Sequence, residues 1–328
     1  MIDFWTWALA LTIFLYVVLD GFDLGVGMLM VLVPEEPDRR GMLSAIAPVW
    51  DGNETWLILN ATILFGVFPL TYSTLLSAFY LPLMVMLAAL IFRGVSFEFR
   101  DKSERTRALW DKAFIGGSYL ATFIQGATAG ALVNGLPMIG DRYVGGPFGW
   151  LSPFALLCGL GLCAGYALLG AGWLAYKATG SVQALAFRLL PRLQLGVVGL
   201  MLVLLAAALV NHLAVMHRWI DRPVLAIFPI IGILASIVMA MAVRQKREAV
   251  PFLCGVTLFA AAMGTLAVSF YPYMIPFAIT VDQAASPHSS LAFLFWGAGV
   301  FVLPLTLIYT LTIYFVFKGK VGLSEPTY

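Results

Sequence analysis

The stretch Pro48-Val-Trp-Asp-Gly-Asn-Glu-Thr-Trp56 places two carboxylates, Asp51 and Glu54, inside a segment that otherwise has the composition of a membrane-spanning helix. Asp20 and Asp23 interrupt the preceding apolar segment in the same way. An ionised side chain at the centre of a membrane helix costs about 2.5–3.5 kcal/mol on insertion scales, so four acids are costly unless they are protonated, hydrated or paired. We therefore expect the function of the chain to depend on these acids.

The composition is that of a polytopic membrane protein. Hydrophobic residues make up 61% of the 328 residues, charged residues only 11%, and the mean hydropathy is +0.94, far from the values of soluble domains. The net charge of +2 gives no indication of a nucleic-acid partner. The three cysteines, Cys158, Cys163 and Cys254, lie in apolar segments without a Cys-x-x-Cys pair. We interpret them as core residues and expect no metal site.

The chain is predicted to be one integral membrane domain, residues 1–328, with an all-α fold of nine transmembrane helices. A span needs about 20 mainly apolar residues, and no linker rich in Ser, Gly or Pro divides the chain. The nine predicted spans are Phe4 to Val33, Met42 to Leu70, Thr74 to Phe99, Trp110 to Asn134, Leu151 to Tyr176, Gln194 to His217, Pro223 to Val243, Val250 to Tyr271 and Leu291 to Phe317. In the first span, Gly21-x-x-x-Gly25 would allow a neighbouring helix to approach closely.

Lysine and arginine set the predicted orientation. With the N-terminus outside, the inner segments carry 15 of the 19 basic residues and the outer segments three, while Arg93 lies within the third span. By the positive-inside rule this split places the N-terminus on the periplasmic side and the C-terminus in the cytoplasm.

The carboxylates form a predicted ladder for protons. Asp51 lies about nine residues into the second span, roughly 13 Å along a continuous helix, and Glu54 follows at i+3. Glu98 is expected near the cytoplasmic end of the third span, so Glu98, Asp51 and Glu54 would lead from the cytoplasm towards mid-membrane. Desolvated carboxyl groups are plausible proton carriers.

The alternative is that the acids are structural. These acids, including Asp20 and Asp23 at spacing i, i+3, would then be hydrogen-bonded to Asn53, Thr55, Asn60 or backbone at helix breaks, or paired with cations of a partner chain. Arg93 is interpreted as an anchor that reaches the membrane surface or as a partner for Glu98. Gln125 and Thr128 in the fourth span, with Asn134 at its end, are interpreted as interhelical hydrogen-bonding residues.

Histidine placement argues against haem ligation by this chain. The only histidines, His212, His217 and His288, fall at or beyond the outer ends of predicted helices. Axial haem ligands in helical bundles are usually inward-facing His or Met side chains. We therefore predict that this chain binds no cofactor of its own.

Four motifs together resemble subunit II of the cytochrome bd-type quinol oxidases. They are Asp20-Gly-Phe-Asp-Leu-Gly-Val-Gly27, Ala47-Pro-Val-Trp-Asp-Gly-Asn-Glu-Thr-Trp-Leu57, Phe92-Arg-Gly-Val-Ser-Phe-Glu-Phe-Arg100 and Phe270-Tyr-Pro-Tyr-Met-Ile-Pro276. The resemblance covers essentially the whole chain, and the Asn-Glu-Thr-Trp run and the Phe-Glu-Phe-Arg ending look most like the cyanide-insensitive oxidase branch.

The resemblance implies a fold of two four-helix bundles, helices 1–4 (about 4–134) and 5–8 (about 151–271), with a peripheral ninth helix (about 291–317). It implies a heterodimer in the bacterial cytoplasmic (inner) membrane with a homologous subunit I, which holds haem b and haem d, or a b-type substitute, and oxidises quinol. Positions matching Asp51 and Glu98 are associated in the family with a cytoplasmic proton route, although other members carry Asp at position 98. Some members bind a structural quinone or small single-helix accessory subunits, and the resemblance leaves both open for this chain.

The sequence thus predicts the haem-free subunit of a respiratory quinol:oxygen oxidoreductase that reduces O2 to water. Two alternatives remain at this point. One is a secondary transporter with midplane carboxylates, which the odd helix count and the lack of a visible inverted repeat disfavour. The other is a purely structural partner of a haem subunit.

Overall fold

The computed structural model describes residues 1–102, 104–211, 213–221 and 223–321, and most of them are helical. Seven segments are long and apolar enough to cross a membrane, because each joins at least 18 helical residues to a high hydropathy. These segments are Ile2–Leu32, Pro69–Lys102, Pro153–Lys177, Gly180–Val210, Pro223–Arg244, Val250–Phe270 and His288–Val316.

Thirteen α-helices are present in the described residues. They are α1 Ile2–Leu29, α2 Glu36–Ser44, α3 Trp50–Val67, α4 Pro69–Phe99, α5 Arg107–Asn134, α6 Pro153–Lys177, α7 Gly180–Val210, α8 Ala214–Asp221, α9 Ile227–Arg244, α10 Val250–Phe270, α11 Val281–Ala284, α12 His288–Leu294 and α13 Val300–Val316. A π-helical turn, Phe295–Gly299, joins α12 to α13. The prediction of nine spans included α3 and α5, which carry more polar residues than the seven apolar segments.

Two antiparallel hairpins complete the secondary structure. Strands β1 Met138–Ile139 and β2 Arg142–Tyr143 form the first, and β3 Tyr273–Ile275 and β4 Ile279–Thr280 form the second. The run Tyr271 to Pro276 leads from the end of α10 through β3. The buried side chains of Ile275 and Ile279 fix this hairpin against the helices.

The second predicted span, Met42 to Leu70, is divided by a turn. Helix α2 ends at Ser44, residues 45–49 form a turn, and α3 begins at Trp50. Pro48 lies in that turn, where its missing N–H costs no helical hydrogen bond. Asp51 consequently lies in the first turn of α3 and not two turns along a helix, and the positive end of the helix dipole favours a carboxylate there.

The sixth predicted span is shifted. Helix α7 begins at Gly180, well before Gln194, and ends at Val210. Its first half contains Pro191 and two exposed arginines, Arg188 and Arg192, and these residues made it resemble a loop in the sequence.

Helix α1 lies at the centre of the molecule, where it packs against α3, α5, α6 and α10. The α1–α6 contact is backbone against backbone: a Cβ on Gly25 would lie 1.9 Å from the carbonyl oxygen of Tyr166, and one on Gly170 would lie 2.5 Å from the carbonyl carbon of Gly25. The prediction that Gly21 and Gly25 admit a neighbouring helix is confirmed, and the neighbour is α6. Phe22 stacks on Trp173 beside this contact, with ring centroids 4.3 Å apart.

The chain after α13 is bound to the end of α6. The buried Lys177 ammonium donates to the carbonyl oxygens of Phe317 and Gly319, and the Val321 N–H donates to the carbonyl of Lys177. Lys320 pairs with Glu248 in the α9–α10 turn at 2.6 Å. The segment 317–321 thus fixes the end of α13 against the second half of the molecule.

Gly25→Ala is expected to lower the stability and yield of the assembled protein. The new methyl group would overlap the Tyr166 carbonyl, and overpacking of a tight interface costs about 1–3 kcal/mol or more. The measurement is the thermal midpoint of the detergent-purified protein. Gly199→Ala on α7 is the matched control, because a Cβ there would meet nothing within 4 Å; equal midpoints for the two variants would contradict the contact.

Acid pH is expected to loosen the segment 317–321. Hydrogen bonds from Lys320 and Gln183 lower the pKa of the exposed Glu248 carboxyl below its ordinary value of 4.5. The pairing therefore contributes above about pH 4.5 and is lost as the pH falls through the lowered pKa. Hydrogen exchange at the Val321 amide, corrected for the intrinsic rate, should accelerate in that range. In Glu248→Gln the extra acceleration should be absent, and its persistence would show that another group titrates.

Candidate functional site

Arg93 is the centre of a buried cluster of charges. Its Nη1 lies 2.5 Å from Glu54 Oε1 and 3.3 Å from Asp20 Oδ1. The Arg93 side chain is only 1% exposed. The interpretation of Arg93 as a surface-reaching anchor or as a partner for Glu98 is therefore wrong, because the guanidinium points inward from α4 to carboxylates on α1 and α3.

Asp23 is held on the other side of the cluster by an amide. Asn53 Nδ2 donates to Asp23 Oδ2 at 2.6 Å and to the Leu19 carbonyl at 3.3 Å. Asn53 Oδ1 accepts from the Tyr314 hydroxyl at 3.0 Å. Both Asp23 and Asn53 are buried. The structural alternative for Asp23, a hydrogen bond to Asn53, is thus confirmed as a contact.

The cluster holds more negative than positive groups. Three carboxyls, Asp20, Asp23 and Glu54, surround a single cation, Arg93. A buried charge without a partner costs several kcal/mol, so the cluster is electrically neutral when two of the three carboxyls carry a proton. Asp20 Oδ2 and Asp23 Oδ1 have no hydrogen-bond partner among the described residues. The arrangement is able to hold and release protons.

A hydrogen-bonded chain continues from the cluster along α1. Tyr16 precedes Asp20 by one turn on the same face and accepts from Gln125 Nε2 at 2.7 Å. The Tyr166 hydroxyl donates to Gln125 Oε1 at 3.1 Å. The interhelical role predicted for Gln125 is confirmed, since it joins α5 to both α1 and α6. The tyrosines were missed because an isolated tyrosine in an apolar helix is typical of core packing; the i, i+4 spacing of Tyr16 and Asp20 was the available signal.

Asp51 and Glu98 lie outside the closed cluster. Both are exposed, on helices that meet where Trp50 packs against Phe97 with ring centroids 5.0 Å apart. The structure therefore brings Glu54 together with Asp20 and Asp23, and leaves Asp51 and Glu98 on the surface of α3 and α4. An exposed carboxylate on an apolar helix needs water or a partner chain around it.

A second group of charges links α2 to the ends of α4 and α5. Arg100, which directly follows α4, binds Asp111 at 2.5 Å and Glu36 at 2.6 Å. Arg39 binds the other oxygen of Asp111 at 2.7 Å. In the sequence, Arg39 and Arg100 are two of the basic residues of the inner segments. Their pairing with Asp111 was not predicted, because no sequence spacing relates residues on three different elements.

No group of three or more His, Cys, Asp or Glu side chains that could hold a metal ion occurs in the described part of the chain. His212 and the side chain of His217 lie outside that part, while His288 begins α12. The prediction that this chain ligates no haem stays a prediction.

The chain shares its fold with a chain of a solved bd oxidase structure. A solved structure titled "The structure of bd oxidase from Geobacillus thermodenitrificans" contains a chain that superposes with a TM-score of 0.76 at 19% sequence identity, over 96% of this chain and 98% of that chain. At this identity the likeness concerns the fold alone.

Sequence relatives identify the family. The "Cytochrome bd-I ubiquinol oxidase subunit 2" of Escherichia coli K12 is 29% identical over 93% of this chain and 91% of its own length. The "Cytochrome bd ubiquinol oxidase subunit 2" of Bacillus subtilis 168 is 28% identical over 99% and 98%. The model of the family "Cytochrome bd terminal oxidase subunit II" matches residues 1–317. The chain belongs to this family.

Family membership confirms the main functional prediction from sequence. The chain is subunit II of a cytochrome bd-type quinol oxidase, an oxidoreductase complex that contains haem and a subunit I. It is a multi-pass protein of the bacterial inner membrane. The transporter alternative loses its support, because the chain belongs to an oxidase family.

Arg93→Leu is expected to destabilise the protein strongly. Removing one partner of a buried ion pair leaves the other charge uncompensated and costs about 3–5 kcal/mol. The check is the thermal midpoint and the yield of the purified complex. Arg244→Leu is the matched control because Arg244 is exposed at the end of α9. If both variants melt at the wild-type temperature, Arg93 does not balance the cluster.

Proposed function

We propose that this chain supports the haem-bearing subunit I and provides part of a cytoplasmic proton route to the site of O2 reduction. The observation that carries the proposal is the buried cluster of Asp20, Asp23, Glu54 and Arg93 beside the exposed carboxyls of Asp51 and Glu98. Closely spaced acids that exceed their counterions are typical of intramembrane proton relays.

The proposed topology has nine spans, a periplasmic N-terminus and a cytoplasmic C-terminus. Helices α3 and α5 have 18 and 28 residues, enough to cross or nearly cross a core of about 30 Å. The polar residues that lower their hydropathy would face the protein interior or a partner. The uneven distribution of Lys and Arg supports the orientation.

The proposed arrangement is two four-helix bundles with a peripheral last helix. Helices α1, α3, α4 and α5 pack on one another, as do α6, α7, α9 and α10, and the two groups meet through α1, α5 and α6. None of the residues of α13 is buried. These contacts support two bundles, at about 4–134 and 151–271, and a peripheral helix at about 291–317.

The route begins at the surface that the two exposed carboxyls share. Glu98 lies one residue before the end of α4, and Asp51 lies in the first turn of α3, so both are close to the side that the charge distribution assigns to the cytoplasm. Glu54, one turn above Asp51 and 25% exposed, is the member of the buried cluster that this surface can reach. Glu98, Asp51 and Glu54 would then pass protons in that order, towards the partner subunit.

The remaining parts of the proposal concern the complex. Subunit I would hold haem b and haem d, or a b-type substitute, and would oxidise quinol near the outer face, so that proton uptake and release occur on opposite sides of the membrane. This chain would bind no haem. Asp51 and Glu98 would be covered by subunit I or by water, because neither is enclosed by this chain.

A purely structural role is the second candidate, and one observation favours it. Arg93 pairs with both Asp20 and Glu54, and Asn53 donates a hydrogen bond to Asp23, so each of these acids has a partner within the chain. In that case neutral substitution of the exposed acids would leave turnover unchanged.

Asp51→Asn and Glu98→Gln are expected to slow O2 consumption and proton uptake of the assembled complex by about ten- to a hundredfold, towards the low end of what a positioned proton-transfer group contributes. Haem content should remain normal, since neither side chain is buried. Glu104→Gln, an exposed acid in the turn before α5, is the matched control. Wild-type rates in both test variants would favour the structural role.

A further inference from the structure

Tyr314 makes a single polar contact with the residues that the structure describes, and that contact reaches the charge cluster. Its hydroxyl donates to Asn53 Oδ1 at 3.0 Å, while its ring packs beside Trp173 and Phe22, with centroids 5.9 and 6.4 Å away. Tyr314 is half-buried and belongs to α13, a helix that has no fully buried residue. A peripheral helix thus contributes one group to the interior of the first bundle.

The contact with Tyr314 gives the Asn53 amide oxygen a donor in the orientation that the other two contacts of the amide require. An amide has one acceptor oxygen and an NH2 group with two donors. With Oδ1 accepting from Tyr314, Nδ2 faces two acceptors, Asp23 Oδ2 and the Leu19 carbonyl. The opposite orientation would set Oδ1 against these two oxygens and leave the Asp23 carboxyl without its donor.

Contacts of the residues that follow Tyr314 in the chain fix its position. Three residues after it, the Phe317 carbonyl accepts from Lys177, and the Gly319 carbonyl does the same. Helix α13 lies against α3 here: a Cβ on Gly52 would make ordinary van der Waals contact with the Tyr309 ring at 3.5 Å and with Ile313 at 4.0 Å. These contacts therefore fix the place along α3 at which the Tyr314 hydroxyl meets Asn53.

We propose that Tyr314 is a positioning residue for proton transfer: it orients Asn53 and, through Asn53, keeps a hydrogen-bond donor on the Asp23 carboxyl. This inference rests on the proposed function of the acid cluster in proton transfer. It assigns the last helix a part in the chemistry of the complex besides its place in the fold.

The test is Tyr314→Phe in the complete complex, which removes the hydroxyl and keeps the ring contacts. Turnover should fall about fivefold, the effect of losing one neutral hydrogen bond, at unchanged haem content. The infrared band of the Asp23 carboxyl, identified as the band that Asp23→Asn removes, should shift. Tyr309→Phe is the matched control: it is the same change on the same helix, at an exposed residue that makes no hydrogen bond within the described residues.

A double-mutant cycle separates positioning from general packing. If Tyr314 acts only through Asn53, Tyr314→Phe should cost nothing further in an Asn53→Ala background. Additive losses would overturn the inference, as would wild-type turnover with an unmoved band in Tyr314→Phe.

The variant Asp23→Asn, measured beside the cycle, distinguishes failure of this inference from failure of the proposed function. Slow turnover in Asp23→Asn together with wild-type turnover in Tyr314→Phe would sink the positioning role alone. Wild-type turnover in both Asp23→Asn and Asn53→Ala would remove the acid cluster from the proton route, and the role of Tyr314 would fall with it.

Discussion

The arrangement of helices α1, α3 and α4 depends on one buried guanidinium. Arg93 on α4 bridges Asp20 on α1 and Glu54 on α3 at distances of 3.3 and 2.5 Å. A fully desolvated ion pair is not a strong source of stability in itself. Its effect is on specificity, because any other rotation of α1, α3 or α4 about its axis would leave one of these charges in an apolar environment without a partner.

Close backbone packing makes this bridge geometrically possible. Gly25 and Gly170 bring α1 and α6 into direct contact, which places Asp20 and Asp23 in the middle of the molecule and not at a bundle surface. The neighbouring tyrosines, Tyr16 and Tyr166, then share Gln125. Small residues therefore set the distance between the helices, and polar residues set the rotation of each helix about its axis.

The sequence predicted much of this because its strongest signals are local. Apolar length located most of the long helices, and acids in apolar segments identified Asp20, Asp23 and Glu54 as exceptional. The spacing of Gly21 and Gly25 predicted a close helix contact. Sequence periodicity, however, relates residues on one helix and carries no information on which residue of another helix faces them.

For that reason the partners of the acids were not predictable. Arg93 lies five residues from Glu98 in sequence, which suggested a pair, whereas its rotation on α4 directs it to α1 and α3. Tyr314 lies 261 residues from Asn53, and no pattern connects them. The helix break before Trp50 was indicated by Pro48, but its effect on the depth of Asp51 depended on where α3 actually begins.

The order of the charges along the chain bears on how the protein enters the membrane. Asp20, Asp23 and Glu54 belong to α1 and α3, whereas their only buried counterion among the described residues, Arg93, is near the end of α4. During synthesis from the N-terminus, α1 reaches the bilayer with two acids whose cation has not yet been made. Each acid would cost about 2.5–3.5 kcal/mol if ionised in lipid. Asp20 and Asp23 must therefore be protonated, hydrated or shielded from lipid by the insertion machinery until α4 is inserted. The first stable intermediate in the membrane is then a group of helices and not α1 alone.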